Sequence, residues 1–537
     1  MTDLTPPAPR GENDFMPKLL TVLREGYGLA ALRADAMAGL TVAIVALPLS
    51  MAIAIASGLG PERGLFTTIL GGFLISALGG SRYQIGGPAG AFIVGVSACV
   101  AEIGVQGLMV ATLISGVLLI AAGALRLGHY VRFLPYPVTI GFSAGIAVII
   151  FVSQIKEVLG LSPQAEPASV LPKLMALWQA REGFSPEALG VSLITIALLQ
   201  GIKRLRPHWP NLLLVTCGMT FAVWGLGLPV HLVGDRFGAL PHFLPAPQMP
   251  DLSAGSLWAA LPFALQFTLL GAITGLLSAQ VADGISGNRH RPSIELFAEG
   301  TANIAVSFFG GVYATGAVAR TVTNHAAGSR GPISGMLHAL FVLGFLAVLA
   351  PLIAFVPMAV FAGILCVVAW NMAARAQFVM LLRASRSDGL ILLTTFGLVV
   401  FRDLTEGIVM GFALAGLVFL HRMSKAVALE TDIGDDPDRV VVHLSGPWFF
   451  GAAAQTGALL EQLAEHPRHF VLDMKDLDYL DSSGARALEL LARRVTRKGG
   501  RMVLSGVKPA QRIVLEQAGL TPQAVDFIPD LATLDRV

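Results

Sequence analysis

The sequence predicts an all-α polytopic membrane domain followed by a small α/β domain, and two features carry this prediction. Of the 537 residues, 54% are hydrophobic and only 13% are charged, which is too little charge to coat a water-soluble protein of this size. Uncharged runs long enough to cross a hydrocarbon layer of about 30 Å recur as far as residue 425. Beyond that point, shorter alternating and helical patterns replace them.

Fourteen membrane-spanning segments are expected within residues 35–425, after a polar N-terminal segment over residues 1–34 that has no secretory signal pattern. The segments begin near residues 36, 64, 88, 106, 133, 187, 211, 259, 295, 316, 332, 358, 388 and 404. Lys and Arg concentrate in alternate loops, for example at Lys203–Arg206, whereas loops such as Pro351–Pro357 carry no charge. Because cytoplasmic loops are enriched in basic residues, both termini are predicted to face the cytoplasm from a cell inner membrane.

The composition also argues against several functional classes. The formal net charge is only +2 and the basic residues sit between apolar runs, so no surface for nucleic acid is expected. The three cysteines lie in apolar segments without metal-ligand spacing, so no metal site is expected. The sequence contains neither a phosphate-binding Gly-x-x-x-x-Gly-Lys loop nor a nucleophile–base motif, so we expect no enzyme activity, no catalytic residue and no cofactor.

Two Gly-rich, broken segments occupy equivalent positions in the two halves of the membrane region. Residues 84–91 (QIGGPAGA) and 309–317 (FGGVYATGA) each open a short apolar stretch, and seven spans separate them. This odd offset predicts an inverted repeat in which two half-helices meet near the membrane centre, an arrangement typical of transporters. The alternative is that Gly and Pro are simply common in membrane helices.

The composition changes after Lys425. An acidic linker is expected at residues 426–438, before a soluble domain over residues 439–537. Strands are predicted at Val440–Leu444, Phe470–Met474 and Arg501–Ser505, and helices at Ala452–Glu465, Ser483–Arg497 and Pro509–Ala518.

Several motifs resemble the sulfate permease (SulP) family of anion transporters, which includes sulfate, bicarbonate and dicarboxylate carriers and the motor protein prestin. The resemblance rests on residues 35–52, on Gly86–Ala91 and on residues 295–328, and the tail resembles a STAS domain through Asp481–Gly484. It implies seven-plus-seven inverted repeats divided into a core and a gate, with fourteen transmembrane segments in all. It also implies a homodimer and a cytoplasmic STAS domain that regulates or stabilises it.

The anion is expected to bind between the two half-helices, because helix N-termini offer unpaired N–H groups and partial positive charge. Arg320 lies inside an apolar segment, where a charged residue is a functional candidate; its alternative role is to reach the cytoplasmic end of a short helix. The alternative role of the small residues is close packing. The predicted substrate-binding residues are Leu49, Ile53, Ala89, Gly90, Ala91, Gly316, Ala317, Val318, Ala319 and Arg320.

One position departs from the family pattern. Many relatives carry an acidic residue in the eighth span, where this chain has Thr274. A coupling cation would then depend on neutral oxygens of Thr274 and Ser278, a poor set for a hard cation. We therefore expect anion exchange or uncoupled transport in preference to proton or sodium symport. The other acidic candidates, Glu102, Glu299 and Asp283, are predicted near the ends of spans.

Together these features favour a secondary transporter of small anions, above all sulfate, that works by alternating access. The alternatives are a bicarbonate or C4-dicarboxylate transporter, a channel-like anion conductor, and a membrane anchor or sensor that acts through its STAS domain. Ser482 matches the serine that is phosphorylated in stand-alone relatives and is predicted to be regulatory, although Asp481 or Ser482 could simply cap a helix. The predicted partners are the anion, the lipid bilayer, a second copy of the chain and a cytoplasmic protein.

Overall fold

A computed structural model describes most of the chain. The described residues are 14–131, 135–163, 167, 169–206, 209–402, 404–425, 428–432, 439–449 and 469–536. The chain divides into two compact units, Met1–Gly411 and Phe412–Val537.

The membrane region is helical, as predicted. Its first helices are α1 (Lys18–Arg24), α2 (Leu29–Ala56), α3 (Pro61–Leu78), α4 (Ile93–Ala124), α5 (Gly128–Val131), α6 (Tyr136–Leu159), α7 (Val170–Gln179), α8 (Pro186–Leu205), α9 (Asn211–Leu226) and α10 (Val233–Phe237). They are followed by α11 (Ala254–Ser286), α12 (Pro292–Phe308), α13 (Val318–Ala326), α14 (Ile333–Ile353), α15 (Met358–Met372), α16 (Arg375–Ala384), α17 (Arg386–Phe401) and α18 (Leu404–Ser424).

Within the described ranges, eight helices are long and apolar enough to cross a membrane. A helix begins within seven residues of every predicted start. The start near residue 106 corresponds to the second half of α4, because Gly104, with φ of 72°, divides α4 into two helical stretches without adding a loop. The all-α polytopic membrane fold is thus confirmed, whereas the number of fourteen spans stays a prediction.

The two broken segments pair with each other. Strands β1 (Gly86–Pro88) and β2 (Ala314–Gly316) form a two-stranded antiparallel sheet in which Gly87 lies opposite Thr315. A 3-10 turn at Gly90–Phe92 leads from β1 into α4, and α13 begins two residues after β2. The pairing therefore brings the N-terminal ends of the two half-helices together, as the sequence predicted.

Polar side chains of neighbouring helices hold these extended segments. The amide of Asn303 both donates to the carbonyl of Ala314 at 2.7 Å and accepts from its N–H at 2.8 Å. The Thr67 hydroxyl donates to the carbonyl of Val312 at 2.7 Å. Because a buried backbone group without a partner is costly, these side chains allow non-helical backbone to lie inside a membrane protein.

The second unit ends the chain with a six-stranded sheet. Its elements are β3 (Ala428–Asp432), β4 (Arg439–Trp448), β5 (His469–Asp473), β6 (Leu477–Leu480), α19 (Ser482–Arg497), β7 (Arg501–Ser505), α20 (Pro509–Gln517) and β8 (Asp526–Ile528). The strand order is β3-β4-β5-β7-β8, with β6 also pairing with β4; only the β3–β4 pair is antiparallel.

The predicted strands and two of the predicted helices of this unit agree with the structure, and the third helix, Ala452–Glu465, lies outside the described residues. The structure differs at the predicted linker, because β3 falls within residues 426–438 and pairs with β4. The sheet therefore begins earlier than the change in composition indicates. The exact domain boundaries stay a prediction.

Close backbone contact between α4 and α12 depends on glycine, and this yields a first prediction. A Cβ atom at Gly116 would lie 2.7 Å from the carbonyl oxygen of Gly300, and the converse distance is 2.5 Å. We expect Gly116→Val to lower the free energy of unfolding by about 1–3 kcal/mol through overpacking. Gly190→Val is the matched control, since Gly190 has open space around its Cα. Equal melting temperatures for the two variants in thermal unfolding of the purified protein would contradict this packing.

Candidate anion-binding site

A cavity of about 500 Å³ lies beside the meeting point of the half-helices. All ten predicted substrate-binding residues line it, together with Pro88 and Thr274. The remaining wall comes from α6, α11, α15 and α18. Its residues are Val138, Thr139, Phe142, Ser143, Ile146, Ile273, Leu277, Val368, Asn371, Met372 and Ile408. The structure thus brings the predicted residues together, while their role in binding stays a prediction.

The small residues at the half-helix ends have two different explanations. At Gly90 the nearest atom to an added Cβ would be Met372 Sδ, at 3.4 Å, so packing does not demand glycine there. At Gly316 an added Cβ would collide with the amide of Gln84. Close packing therefore accounts for Gly316, whereas Gly90 leaves the backbone open to a ligand in the cavity.

Arg320 is the charged group of this cavity. Its side chain is only 1% exposed, and its Nη2 donates to Ser50 Oγ at 2.8 Å while Nη1 donates to Thr68 Oγ1 at 3.4 Å. Its Nε has no hydrogen-bond partner, and no carboxylate pairs with the guanidinium in the described part of the chain. The alternative role, reaching a cytoplasmic helix end, is wrong, because Arg320 is the third residue of α13 and turns towards α2 and α3.

The guanidinium lies against the backbone of the paired strands. Gly87 has a φ of 151°, a conformation that favours glycine, and a Cβ atom there would collide with Nη1 of Arg320. Gly87 thus combines an unusual backbone conformation with the space that Arg320 needs.

The two residues predicted for a coupling cation, one turn apart on α11, have different hydrogen-bond partners. Thr274 is half-buried, lines the cavity, donates to the Leu270 carbonyl at 2.8 Å and lies 3.0 Å from Thr315 Oγ1. Ser278 is fully buried, lies 3.2 Å from Thr321 Oγ1 and is absent from the lining of the cavity among the described residues. The two hydroxyls therefore belong to different hydrogen-bonded pairs.

Glu299 corrects an expectation from the sequence. It was predicted near the end of a span, but it is the eighth of the 17 residues of α12 and only 1% exposed. Glu102 is exposed and Asp283 lies near the end of α11, as expected. The α12 start at Pro292, three residues earlier than predicted, places Glu299 near the middle of that helix.

In the C-terminal unit, Ser482 is exposed and is the first residue of α19. Asp481 Oδ1 accepts the N–H of Gly484 at 2.7 Å, so Asp481 caps the helix. The capping alternative therefore holds for Asp481, and the hydroxyl of Ser482 stays accessible.

Sequence reasoning missed two sets of residues at the site. Ser50 and Thr68, which hold Arg320, are polar residues within apolar helices, but their direction towards position 320 depends on tertiary packing. Asn371 stands alone among apolar residues of α15, and this isolation was a usable signal. The lining residues of α6 gave no such signal, because apolar residues with occasional Thr and Ser occur in any membrane helix.

Paired half-helices, a cavity at their ends and a buried guanidinium define this protein as a multi-pass membrane transporter for anions. Comparisons with known proteins agree with this class. Residues 32–395 match the sulfate permease family, and residues 429–533 match the STAS domain. The chain therefore belongs to the sulfate permease family and carries a STAS domain, which confirms the resemblance.

Relatives carry the names of different anions. The chain is 37% identical over 505 residues to the Bacillus subtilis protein named "Putative sulfate transporter YvdB", covering 92% of this chain and 95% of that protein. It is 29% identical over 539 residues to the bicarbonate transporter BicA of Synechocystis sp., covering 93% and 92%. The family therefore establishes anion transport without selecting the anion.

Solved structures share the fold. The transmembrane domain of a cyanobacterium bicarbonate transporter BicA matches with a TM-score of 0.64 and 29% identity, covering 72% of this chain and 98% of that one. The structure of SLC26A9 matches with a TM-score of 0.83 and 18% identity, covering 97% and 92%. The second likeness shows the fold alone.

The contact between Gly87 and Arg320 yields a second prediction. We expect Gly87→Ala to displace the guanidinium and to weaken anion binding about tenfold or more, since a hydrogen bond to a charged group contributes about 1.5–3 kcal/mol. Gly104→Ala is the matched control, because Gly104 also has positive φ but an added Cβ there meets nothing within 4 Å. Binding of a labelled anion to purified protein checks this, and equal affinities of the two variants would refute it.

Proposed function

We propose that this protein is a secondary transporter that carries sulfate by alternating access. The observation that carries the proposal is the buried guanidinium of Arg320, which lines the cavity with no carboxylate partner among the described residues. Burying a charge is unfavourable unless an opposite charge compensates it. An anion in the cavity would supply that charge, with the N–H groups of both half-helices as further donors.

The cavity limits the substrate by charge more than by size. A volume of about 500 Å³ accommodates sulfate or bicarbonate with part of its hydration shell, and also a C4 dicarboxylate. Sulfate is favoured by the name of the relative at 37% identity, and bicarbonate is the alternative favoured by the relatives named BicA. Apolar residues such as Leu49 and Ile53 would tolerate the carbon chain of a dicarboxylate.

The arrangement of the helices around the cavity supports an alternating-access mechanism in preference to a permanently open pore. One wall consists of α2, α11 and the half-helices, and the other of α6, α15 and α18. A site between two such groups of helices can open to either side when one group moves relative to the other. The loss of an acid at Thr274 favours exchange or uncoupled movement, and channel-like conduction is the alternative mechanism.

Several further assignments belong to this proposal. The arrangement of basic loops supports an inner-membrane location with both termini in the cytoplasm, and family membership supports a homodimer. The STAS domain is proposed to bind a cytoplasmic protein or to stabilise the dimer. No enzyme activity or cofactor forms part of the proposal.

Uptake by purified protein in liposomes tests the transport proposal. Labelled sulfate, bicarbonate and fumarate are each supplied with and without the same anion inside. We expect saturable uptake of sulfate, with acceleration by internal sulfate if the protein exchanges anions. Uptake that is driven by voltage, indifferent to preloading and without saturation would support channel-like conduction instead.

Arg320 provides the matching variant. We expect Arg320→Gln to raise the half-saturating anion concentration about tenfold or more, because a charge-assisted interaction is lost. Arg320→Lys keeps the positive charge and should retain part of the affinity. A single ammonium group cannot reproduce the two hydrogen bonds that the planar guanidinium donates to Ser50 and Thr68. Wild-type uptake by Arg320→Gln would contradict the proposed site, provided that both variants elute as folded protein in size-exclusion chromatography.

Ser482 is proposed as a regulatory phosphorylation site. Its exposed hydroxyl at the first position of α19 would place a phosphate near a helix N-terminus, where negative charge is favourable. We expect Ser482→Glu to change the uptake rate in liposomes, whereas the exposed neighbour Ser483→Glu should not. The same rate for wild type and both variants would count against the regulatory role.

A further inference from the structure

A buried carboxylate on α12 has no charged partner among the described residues. Glu299 is 1% exposed, and the neutral hydroxyl of Thr315 is the hydrogen-bonding group that faces its carboxylate. Transfer of an isolated ionised carboxylate from water into the protein interior is far more costly than loss of one hydrogen bond. An ionisable residue inside a membrane domain is therefore a functional candidate. A bound cation would neutralise the negative charge of the Glu299 carboxylate.

The surroundings of Glu299 leave space and supply oxygen atoms, but they carry no opposite charge. Two glycines of α11 make room: a Cβ atom at Gly271 would lie 2.8 Å from Oε1, and one at Gly275 would collide with Oε2. The Tyr313 hydroxyl also lies against Gly271. Glu295, one turn earlier, is a second carboxylate, whose Oε2 accepts two backbone N–H groups at 2.7 and 2.9 Å. No Lys, Arg or His forms an ion pair with Glu299 in the part of the chain that the structure describes.

Two threonine hydroxyls connect this position with the anion cavity. A Cβ atom at Gly275 would lie 3.4 Å from Thr315 Oγ1, so this hydroxyl and the carboxylate of Glu299 face the same space. Thr315 Oγ1 lies 3.0 Å from Thr274 Oγ1, and Thr274 lines the cavity. Carboxylate and hydroxyl oxygens are the ligands that a hard cation prefers.

The other acidic candidates do not have these properties. Glu102 is exposed to its surroundings. Asp283 is one-quarter exposed and already has a partner, since its Oδ2 lies 2.6 Å from Nδ1 of His290. Of the three acidic residues that the sequence singled out, Glu299 alone is buried and without a charged partner among the described residues.

We propose that Glu299 binds a monovalent cation, a proton or a sodium ion, that is transported together with the anion. This inference rests on the proposed anion transport and changes one expectation from it. Exchange or uncoupled movement was favoured because Thr274 is not acidic, but Glu299 presents a carboxylate beside Gly275, the next residue of α11. The paired strands connect the two sites, because Thr315 lies opposite Gly87, against which Arg320 packs.

Cation gradients across liposomes test the proposal on the full chain. Uptake of the labelled anion that the transport assay selects is measured at clamped voltage, with no gradient, with an inward proton gradient, or with an inward sodium gradient at equal pH. We expect one gradient to accelerate wild-type uptake several-fold and so to identify the cation. Glu299→Gln should reduce the ratio of uptake with and without that gradient to one, and Glu102→Gln, the matched control, should retain it.

A second variant separates loss of the cation site from a loss of folding. Thr274→Asp in the Glu299→Gln background returns a carboxylate beside the remaining hydroxyl of Thr315 and should restore stimulation by the gradient. Measurable uptake that neither gradient accelerates would overturn the cation site while leaving anion transport intact. Stimulation of Glu299→Gln to the wild-type ratio would also overturn it. Failure to take up any anion would instead contradict the proposed transport function.

Discussion

The pairing of Gly86–Pro88 with Ala314–Gly316 is the constraint on which the rest of the membrane unit depends. Two short strands inside a helical membrane protein leave backbone groups that only neighbouring chain can satisfy. The pair satisfies part of this need, and side chains such as Asn303 and Thr67 satisfy more of it. As a result, the two half-helices begin at one place, beside a shared cavity. The proposed anion site thus depends on the pairing of the two strands.

Charge is distributed around this pair in a way that suits transport of two opposite ions. Arg320 packs against Gly87 on one strand, and Glu299 lies near Thr315 on the other. Each is buried without a charged partner among the described residues, so a ligand of opposite sign would stabilise each of them. Both residues lie against the paired strands, so a movement of these strands would carry the two proposed ligands together.

The sequence predicted the membrane fold and the meeting of the two half-helices, because long apolar runs and Gly-rich breaks are local signals. It predicted the lining residues of the half-helices by resemblance to the family. It failed where direction in space matters. The burial of Glu299 depends on Gly271 and Gly275 of a different helix, and the support of Arg320 depends on Ser50 and Thr68. The early start of the C-terminal sheet at β3 was hidden by the acidic composition of that segment.

An anion bound between the two half-helices beside Arg320 should be visible by crystallography. Selenate replaces sulfate and gives an anomalous signal, so a crystal structure of the protein with selenate would locate it. We expect one ordered peak within hydrogen-bonding distance of backbone N–H groups near Gly90 and Val318 and close to the Arg320 guanidinium. Selenate bound elsewhere in the membrane unit, with this cavity empty at saturating concentration, would contradict the proposed anion site.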